Sequence, residues 1–522
     1  MDEKKPVNPI LNWLTDTPVP SAAGNGAPTV PSAVTPPRQY EIDGKDRMLL
    51  PFVLILGFLF AELLFSMWRG WGLIVPVLVA VWYAVAIWYR GLEGFTARPA
   101  LLLFAAVCAL SLTFALFSNH WFRIWNGFTL PPLLCVHLFQ WSGAGRKAWS
   151  LPTMLWERFC LTLDALFRRL GAPFKALTPK GGSGRGANVI LGLILAVPVL
   201  VFVFPLLVSA DAVFEQFTSG LVAFAQEHFT LWMLKLALAL CFAPFLFGFL
   251  YALRRPEKLK EKTAQTPFSV DAVLPVTVLV VVDVLYLIFL AVQFAGLFGG
   301  GKYLEATGIS YADYARSGFF QLVTVSVFNL ALVMACLQAA KKEGRGWQGV
   351  RFLSTVLVGA SVILLASAAW KMTLYVTVYG LSFKRFLTYW GMVMLAIFFA
   401  AALLKIWKKE FSFFKVFFAA GIAGWLILNY INVDFIVANY NVSLYQRSET
   451  AVMDLPYLAY LSYDTLSALE KLPGDTRPYH APEDDTTLEM LIQWRRGDAL
   501  LDASDWRTWS VSARLAAMGG GK

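Results

Sequence analysis

The chain has 522 residues, of which 58% are hydrophobic and 15% are charged, and its mean hydropathy is +0.59. Soluble globular domains are about half apolar and about a quarter charged, so this composition excludes an ordinary soluble protein and predicts one embedded in lipid. The formal net charge of +10 is carried mainly by short loops beside apolar runs, which favours a membrane orientation signal over a nucleic-acid partner.

The apolar runs predict an all-α fold, a polytopic transmembrane helical bundle of about eleven spans over residues 47–436. A helix that crosses a hydrocarbon core of roughly 30 Å needs about 20 mainly apolar residues. Residues 1–46 are rich in Pro, Ala, Thr and Gly and predict a disordered cytoplasmic tail. Arg123, Asn126 and two prolines interrupt the fourth span, so its complete crossing stays open. The predicted spans are 48–67, 71–89, 99–117, 121–141, 188–209, 229–252, 272–295, 318–340, 352–374, 385–407 and 412–432.

Lysine and arginine alternate from one gap between spans to the next. They crowd the gaps 142–187, 253–271 and 341–351, whereas 210–228 contains neither residue. Because cytoplasmic loops carry the excess of basic residues, this pattern places the N-terminus in the cytoplasm and the C-terminus outside. We expect a multi-pass protein of the cytoplasmic (inner) membrane, surrounded by lipid bilayer and without a nucleic-acid partner.

Two further segments are predicted to be helical. At about 150–172, Phe159 and Phe167 fall on one face of a helix and Arg168 on the other, which suits equally an interfacial helix and a helix packed on the bundle. Residues 437–522 are polar and net negative and contain two short amphipathic patterns. They predict a small extracytoplasmic helical segment.

Four ionisable residues fall inside the predicted spans. A charge at the middle of a bilayer costs at least about 2.5–3.5 kcal/mol on insertion scales, so such residues face the bundle and mark candidate sites. Asp283 is central in an apolar run and either relays protons or ions or pairs with another helix, for which Lys371 is one possible partner. Lys371 alternatively reaches the interface. The candidate intramembrane polar site consists of Asp283, Lys371, Glu62 and Lys235.

Amide and carboxylate side chains gather where the last span ends. Several tyrosines lie among them, as is usual at the level of lipid headgroups. The amides and carboxylates predict capping of a helix end and a docking surface for the segment that follows. The candidate outer-face polar cluster consists of Asp211, Asn432, Asp434, Asn439, Asn441, Asp454 and Asp464.

The sequence predicts no catalytic residue, no cofactor-binding residue and no metal ligand. Its four histidines are isolated from one another, and none of its five cysteines pairs with another at metal-ligand spacing. Residues 296–302 fit the Gly-x4-Gly-Lys core of a phosphate-binding loop, but Tyr303 follows where Ser or Thr would hold magnesium. A flexible turn is the favoured interpretation, and enzymatic activity stays uncertain.

The C-terminal part of the chain resembles a known family. Asn432-Val-Asp-Phe-Ile-Val-Ala-Asn-Tyr-Asn441 and Asp454-Leu-Pro-Tyr-Leu-Ala-Tyr-Leu-Ser-Tyr-Asp464 are similar to two elements of the bacterial membrane proteins called domain of unknown function 4153/4173. Residues 209–214 and 379–385 resemble it as well, and the likeness spans roughly residues 50–472. The resemblance implies a bacterial membrane protein and, because the family has no assigned activity, transfers no catalytic residue.

Three functions stay open for the sequence. The first is an envelope structural, regulatory or assembly partner, which would bind another membrane or envelope protein. The second is a transporter or channel that uses Asp283. The third is an outer-face enzyme that acts on lipid or polymer, with Asp211, Asp434, Asp454 and Asp464 as its available acids.

Overall fold

The computed structural model describes residues 40–143 except 68, 151–178, scattered positions from 189 to 218, 230–256, 270–298, 319–447, 453–477 and 486–519. By its contacts the chain divides into Met1–Glu41 and Ile42–Lys522. All helices named here belong to the second unit.

Regular structure in the described ranges is helical, apart from one parallel bridge between Val270 and Ala340. The helices are α1 (Gly44–Phe65), α2 (Ile74–Arg90), α3 (Arg98–Leu116), α4 (His120–Ser142), α5 (Leu151–Phe167), α6 (Gly171–Leu177), α7 (Thr230–Arg254), α8 (Val273–Phe298), α9 (Phe319–Ala339), α10 (Gly344–Tyr379), α11 (Phe383–Trp407), α12 (Phe413–Tyr430), α13 (Val433–Arg447), α14 (Leu455–Leu461), α15 (Leu466–Leu469), α16 (Leu488–Ser504) and α17 (Val511–Met518), with a 3-10 helix at Tyr463–Thr465.

Eight helices among the described residues are long and apolar enough to cross a membrane, namely α1, α3 and α7 to α12. They coincide with eight of the eleven predicted spans and confirm an all-α polytopic bundle. The second predicted span corresponds to α2, which has 17 residues, and the fourth to α4, a continuous helix of 23 residues with a more polar sequence. The fifth, 188–209, lies largely outside the described residues.

Short polar side chains set where several helices begin. The Asp43 side chain accepts the backbone N–H of Asp46, and the Asp46 side chain accepts that of Asp43, which forms a capping box at α1. Asn119 and Ser382 cap α4 and α11 in the simpler way, through a backbone N–H three residues on. These caps satisfy helix donors that would otherwise lack a partner.

The helix ends collect at two opposite ends of the bundle. We call the end where α1 begins the N-terminal end; there Arg254 reaches Asp43, and Arg47 donates to the carbonyl of Thr178. At the other end the backbone of Gly72 binds that of Arg507. Helices α13 to α17, which we call the cap, lie at this second end, the cap end. Helix α1 therefore begins at the end of the bundle opposite the cap.

The spanning helices form two groups. The first group contains α1 to α7, including the shorter helices between its spans, and the second contains α8 to α12. The two groups meet where α12 lies against α3. We call this contact the seam. The chain then turns at Asn432, which has a left-handed backbone (φ 55°), and α13 begins at Val433. This helix runs across residue 437, where the outer segment was expected to begin.

Helix α5 packs against α7 through Ala165 and, on its predicted apolar face, through the Phe167 ring, whose centroid lies 5.5 Å from that of Phe245. A Cβ at Gly248 of α7 would lie 2.9 Å from the carbonyl oxygen of Ala165, which shows how closely the two backbones approach. Phe159 and Phe167 remain exposed. The helix thus contacts the bundle and keeps apolar side chains available to lipid, so both interpretations of the pattern retain support.

Candidate functional site

The structure brings Glu62 and Lys235 together. Their side chains form an ion pair at 2.6 Å between α1 and α7, and both residues are buried. Arg507 of the cap adds a second cation 3.2 Å from the other Glu62 oxygen. A buried carboxylate with two cations and hydrogen bonds is compensated, which is the structural role that the sequence left open. Arg507 had no signal in the sequence, because it lies 445 residues away from Glu62.

The cap is fixed next to this ion pair by backbone contacts. The N–H groups of Gly72 and Leu73 donate to the carbonyls of Arg507 and Trp509 at 2.8 and 3.0 Å. A Cβ at Gly72 would overlap the backbone of Thr508. Glycine is therefore required at this position for the two chain segments to approach.

Asp283 has a different environment. It is 4% exposed and lies near the middle of α8, and neither carboxylate oxygen has a hydrogen-bond partner among the described residues. Buried carboxyl groups are normally paired or hydrogen-bonded. An unpartnered one inside an apolar span is thus the most unusual polar group in the described part of the bundle.

Lys371 is too far along α10 to be the partner of Asp283. Positions 346 and 349 of α10 face Ala272 and Val276 of α8, so Asp283 lies level with about residue 356. Lys371 is some 15 residues further on, about 22 Å at the helical rise of 1.5 Å per residue. The pairing suggested from the sequence is therefore wrong. Lys371 itself is buried and has other interactions.

A chain of hydrogen bonds begins one helical turn beyond Asp283. The Tyr286 hydroxyl donates to Asn329 of α9 at 2.8 Å, and the Asn329 amide donates to the Ser361 hydroxyl of α10 at 2.8 Å. Ser354 precedes the level of Asp283 on α10, whereas Ser361 follows it. The buried Ser354 hydroxyl has no hydrogen-bond partner among the described residues. Asn329 and Ser361 were not among the residues predicted from the sequence, although each is a polar residue inside an apolar run.

At the cap end Asp434 is the most deeply buried carboxylate of the predicted cluster. It is 1% exposed and accepts a hydrogen bond from the Asn119 side chain at 2.6 Å. Burial raises the pKa of Asp434 to about 6, although the hydrogen bond from Asn119 acts in the opposite direction. Burial also raises the pKa of Asp464, a close neighbour that further disfavours ionisation of Asp434.

Polar side chains close the seam beside Asp434. Asn126 of α4 binds both Asn429 and Trp425 of α12. Arg123 donates to the carbonyls of Phe114 and Phe117, which ties the end of α3 to α4. A cavity of about 10 Å³ lies between these groups, a volume close to that of one water molecule.

Of the remaining members of the predicted cluster, Asn432 hydrogen-bonds Asp464, and the other described members bind different partners. Asn441 donates to the carbonyls of Leu381 and Val437, and Asn439 accepts from Lys471 at 2.6 Å. Asp454 caps α14, and Asn432 accepts the N–H of Phe435. Asp211 lies outside the described residues. Among those that are described, each side chain binds backbone or a neighbouring side chain within the cap or the loops beneath it.

The described residues contain no group of three or more His, Cys, Asp or Glu side chains that could hold a metal ion. The buried His137 instead hydrogen-bonds the Tyr83 hydroxyl at 2.7 Å. The polar pairs described above thus join helices of the bundle, whereas Asp283 and the Ser354 hydroxyl have no hydrogen-bond partner among the described residues.

Eight apolar spanning helices with buried polar contacts between them define a multi-pass helical membrane protein. Residues 104–472 match the model of a family described as domain of unknown function DUF4153, and the chain belongs to that family. This match confirms the resemblance seen in the C-terminal elements. No curated protein and no solved structure matches the chain.

Proposed function

We propose that this protein is an assembly or regulatory partner in a bacterial envelope, and that its cap binds another envelope protein outside the cytoplasmic membrane. The observation that carries the proposal is an apolar stripe on α16. Met490, Trp494 and Leu501 repeat at helical spacing and are 56%, 61% and 57% exposed. Exposed apolar stripes of this kind mark interaction surfaces in proteins.

The stripe belongs to a helix that is held in place. Leu488 and Ala499 on the opposite face of α16 are buried, and Arg495 donates to the carbonyl of Ala459 in α14. The Trp494 ring contacts that of Tyr460 at 5.9 Å. A fixed helix with a tryptophan and a methionine pointing outward loses little conformational freedom on binding, which favours a protein partner.

The orientation forms part of the proposal. Basic residues dominate the loops at the N-terminal end, as cytoplasmic loops do, so the cap would face the extracytoplasmic side. The family match supports a conserved membrane architecture. The family has no assigned activity, so the match itself favours neither binding nor catalysis.

Photocrosslinking in living cells tests this proposal. A crosslinking amino acid placed at Trp494 or at Leu501 should give the same discrete protein adduct. Gln493, exposed on the same helix outside the stripe, provides the matched control and should give little of it. Trp494→Glu should remove the adduct formed from position 501 without lowering the amount of protein in the membrane. Adducts to lipid alone, or equal adducts from all three positions, would contradict a protein-binding cap.

Asp283 supports a second candidate function, proton conduction, as in a channel. A carboxyl group without a partner at the middle of a span can take up and release a proton. The hydroxyl and amide groups of Ser354, Asn329 and Ser361 provide polar neighbours within about one turn. The test is proton flux into proteoliposomes that contain a pH-sensitive dye, driven by a potassium diffusion potential. Asp283→Asn should abolish flux, and Asp271→Asn, at the start of α8, should not; absence of flux in the parent protein would remove this candidate.

The third candidate, an outer-face enzyme, gains no comparable support. Asp434, in the first turn of α13, is buried within the cap, and the Asp454 side chain accepts a backbone N–H at the start of α14. A general acid or base has to reach a substrate atom within hydrogen-bonding distance.

A further inference from the structure

Hydrogen bonds join the two helix groups toward the cap end of the seam. There Asn126 binds Asn429, and the Tyr430 hydroxyl donates to the carbonyl of Ala109. Toward the N-terminal end, α3 and α12 border a groove of about 750 Å³ beside the packed cluster of Leu103, Phe418 and Ile422. Small side chains line it on both helices, which keeps its floor open. They include Ala105, Ala106, Ala109, Ala419 and Ala423.

The groove is one leaflet deep. On α3 its lining extends from Pro99 to Ala109, and on α12 from Lys415 to Leu426. At 1.5 Å per residue these stretches measure about 15 and 16 Å. Half of a hydrocarbon core of roughly 30 Å is also about 15 Å. An acyl chain of the leaflet at the N-terminal end therefore has the length needed to fill the groove.

Two cations lie at the mouth of the groove. Lys415 belongs to its lining, and Arg98 immediately precedes Pro99 at the start of α3. Both side chains are exposed, and no acidic side chain pairs with either among the described residues. They lie at the end of the groove where the acyl chain would join its headgroup, so the charge there suits a phosphate.

We propose that this groove binds an anionic phospholipid, with one acyl chain between α3 and α12 and the phosphate against Lys415 and Arg98. The acyl chain fills the groove and contacts both α3 and α12. A second copy of the chain or a peptide is a poorer occupant, because the groove is narrow, apolar and closed at the depth of one leaflet.

Native mass spectrometry of the purified full-length protein tests the proposal, with phosphatidylglycerol and phosphatidylcholine of identical acyl chains as probes. The parent protein should retain phosphatidylglycerol several-fold more than phosphatidylcholine. The double variant Lys415→Gln/Arg98→Gln should lose that preference. Lys408→Gln removes a cation from the same end of the bundle outside the groove, and it should keep the preference.

A second variant tests the apolar groove independently of the two cations at its mouth. Ala423→Leu fills the groove and leaves both cations in place, so it should reduce retention of both lipids. Equal retention of the two lipids by the parent protein would overturn the anionic assignment. Loss of the preference in Lys408→Gln to the same degree as in the double variant would show general surface attraction and overturn the site.

Discussion

The side-chain amide of Asn126 donates a hydrogen bond to the side-chain oxygen of Asn429 at 2.7 Å, across the seam between the two helix groups. The Trp425 indole donates to the Asn126 oxygen at 2.8 Å, and Asn429 donates back to the Trp425 carbonyl. Both asparagines are buried. Each group in this small ring is satisfied by another, so the loss of one side chain leaves others without a partner.

Asn126→Leu should therefore destabilise the protein by about 1–3 kcal/mol, since it leaves Asn429 and the Trp425 N–H unsatisfied. Reversible unfolding by SDS in mixed micelles would measure the loss. A double-mutant cycle of Asn126→Ala and Asn429→Ala should give a coupling of about 0.6–1.7 kcal/mol, the range observed for such bonds in membrane helices. If the two changes have additive effects on stability, the hydrogen bond between Asn126 and Asn429 does not stabilise the contact between the two helix groups.

The close contact at Gly72 predicts a change confined to the cap. Gly72→Ala places a methyl group against the Thr508 backbone, so the 505–510 segment has to move away from the bundle. We expect faster proteolysis between α16 and α17 in membrane vesicles that expose the cap. Gly359→Ala in α10 meets no atom within 4 Å and provides the control. Equal protease resistance of both variants would argue against this attachment of the cap.

Asp434 predicts a dependence of stability on pH. Burial raises its pKa from 3.8 to about 6, so the folded protein binds this proton more tightly than the unfolded chain. Stability should fall as pH rises from 4 to 6, by up to about 3 kcal/mol at 1.36 kcal/mol per unit. Asp434→Asn should therefore be more stable than the parent at pH 7 and nearly equal to it at pH 4.

Asp505 provides a control of opposite sign. A hydrogen bond from Arg507 lowers the pKa of Asp505, so its charged form stabilises the folded state above the ordinary pKa of aspartate. Asp505→Asn should accordingly lose stability at pH 7 and little at low pH. If both variants shift stability in the same direction at pH 7, the assignment for Asp434 is wrong.

The buried pair of Glu62 and Lys235 predicts strong non-additivity. Lys235→Met leaves the Glu62 carboxylate with Arg507 alone, at 3.2 Å and partly exposed. Breaking a buried pair typically costs about 3–5 kcal/mol, whereas replacing both partners costs much less. We expect Glu62→Gln/Lys235→Met to unfold at a higher SDS fraction than Lys235→Met alone. A double variant less stable than either single one would contradict the pairing.

The spans and the alternation of charge could be read from the sequence because both depend on local composition. A run of 20 apolar residues has one stable conformation in lipid, and its flanking charges act within a few residues of its ends. The polar contacts were harder to predict. Asp283 and Lys371 were candidate partners by chemistry alone, and only the register of α8 against α10 separates them by about 22 Å.

Apolar length and short motifs are properties of contiguous residues, so they were sufficient to predict a helical membrane protein of the DUF4153 family. The tertiary structure alone decided that Arg507 joins Glu62 and Lys235, that the seam closes at Asn126 and Asn429, and that Asp283 stays without a described partner. It also decided that Lys415 lies at the mouth of a groove one leaflet deep. These relations join residues up to 445 positions apart, and they arise from how helices pack.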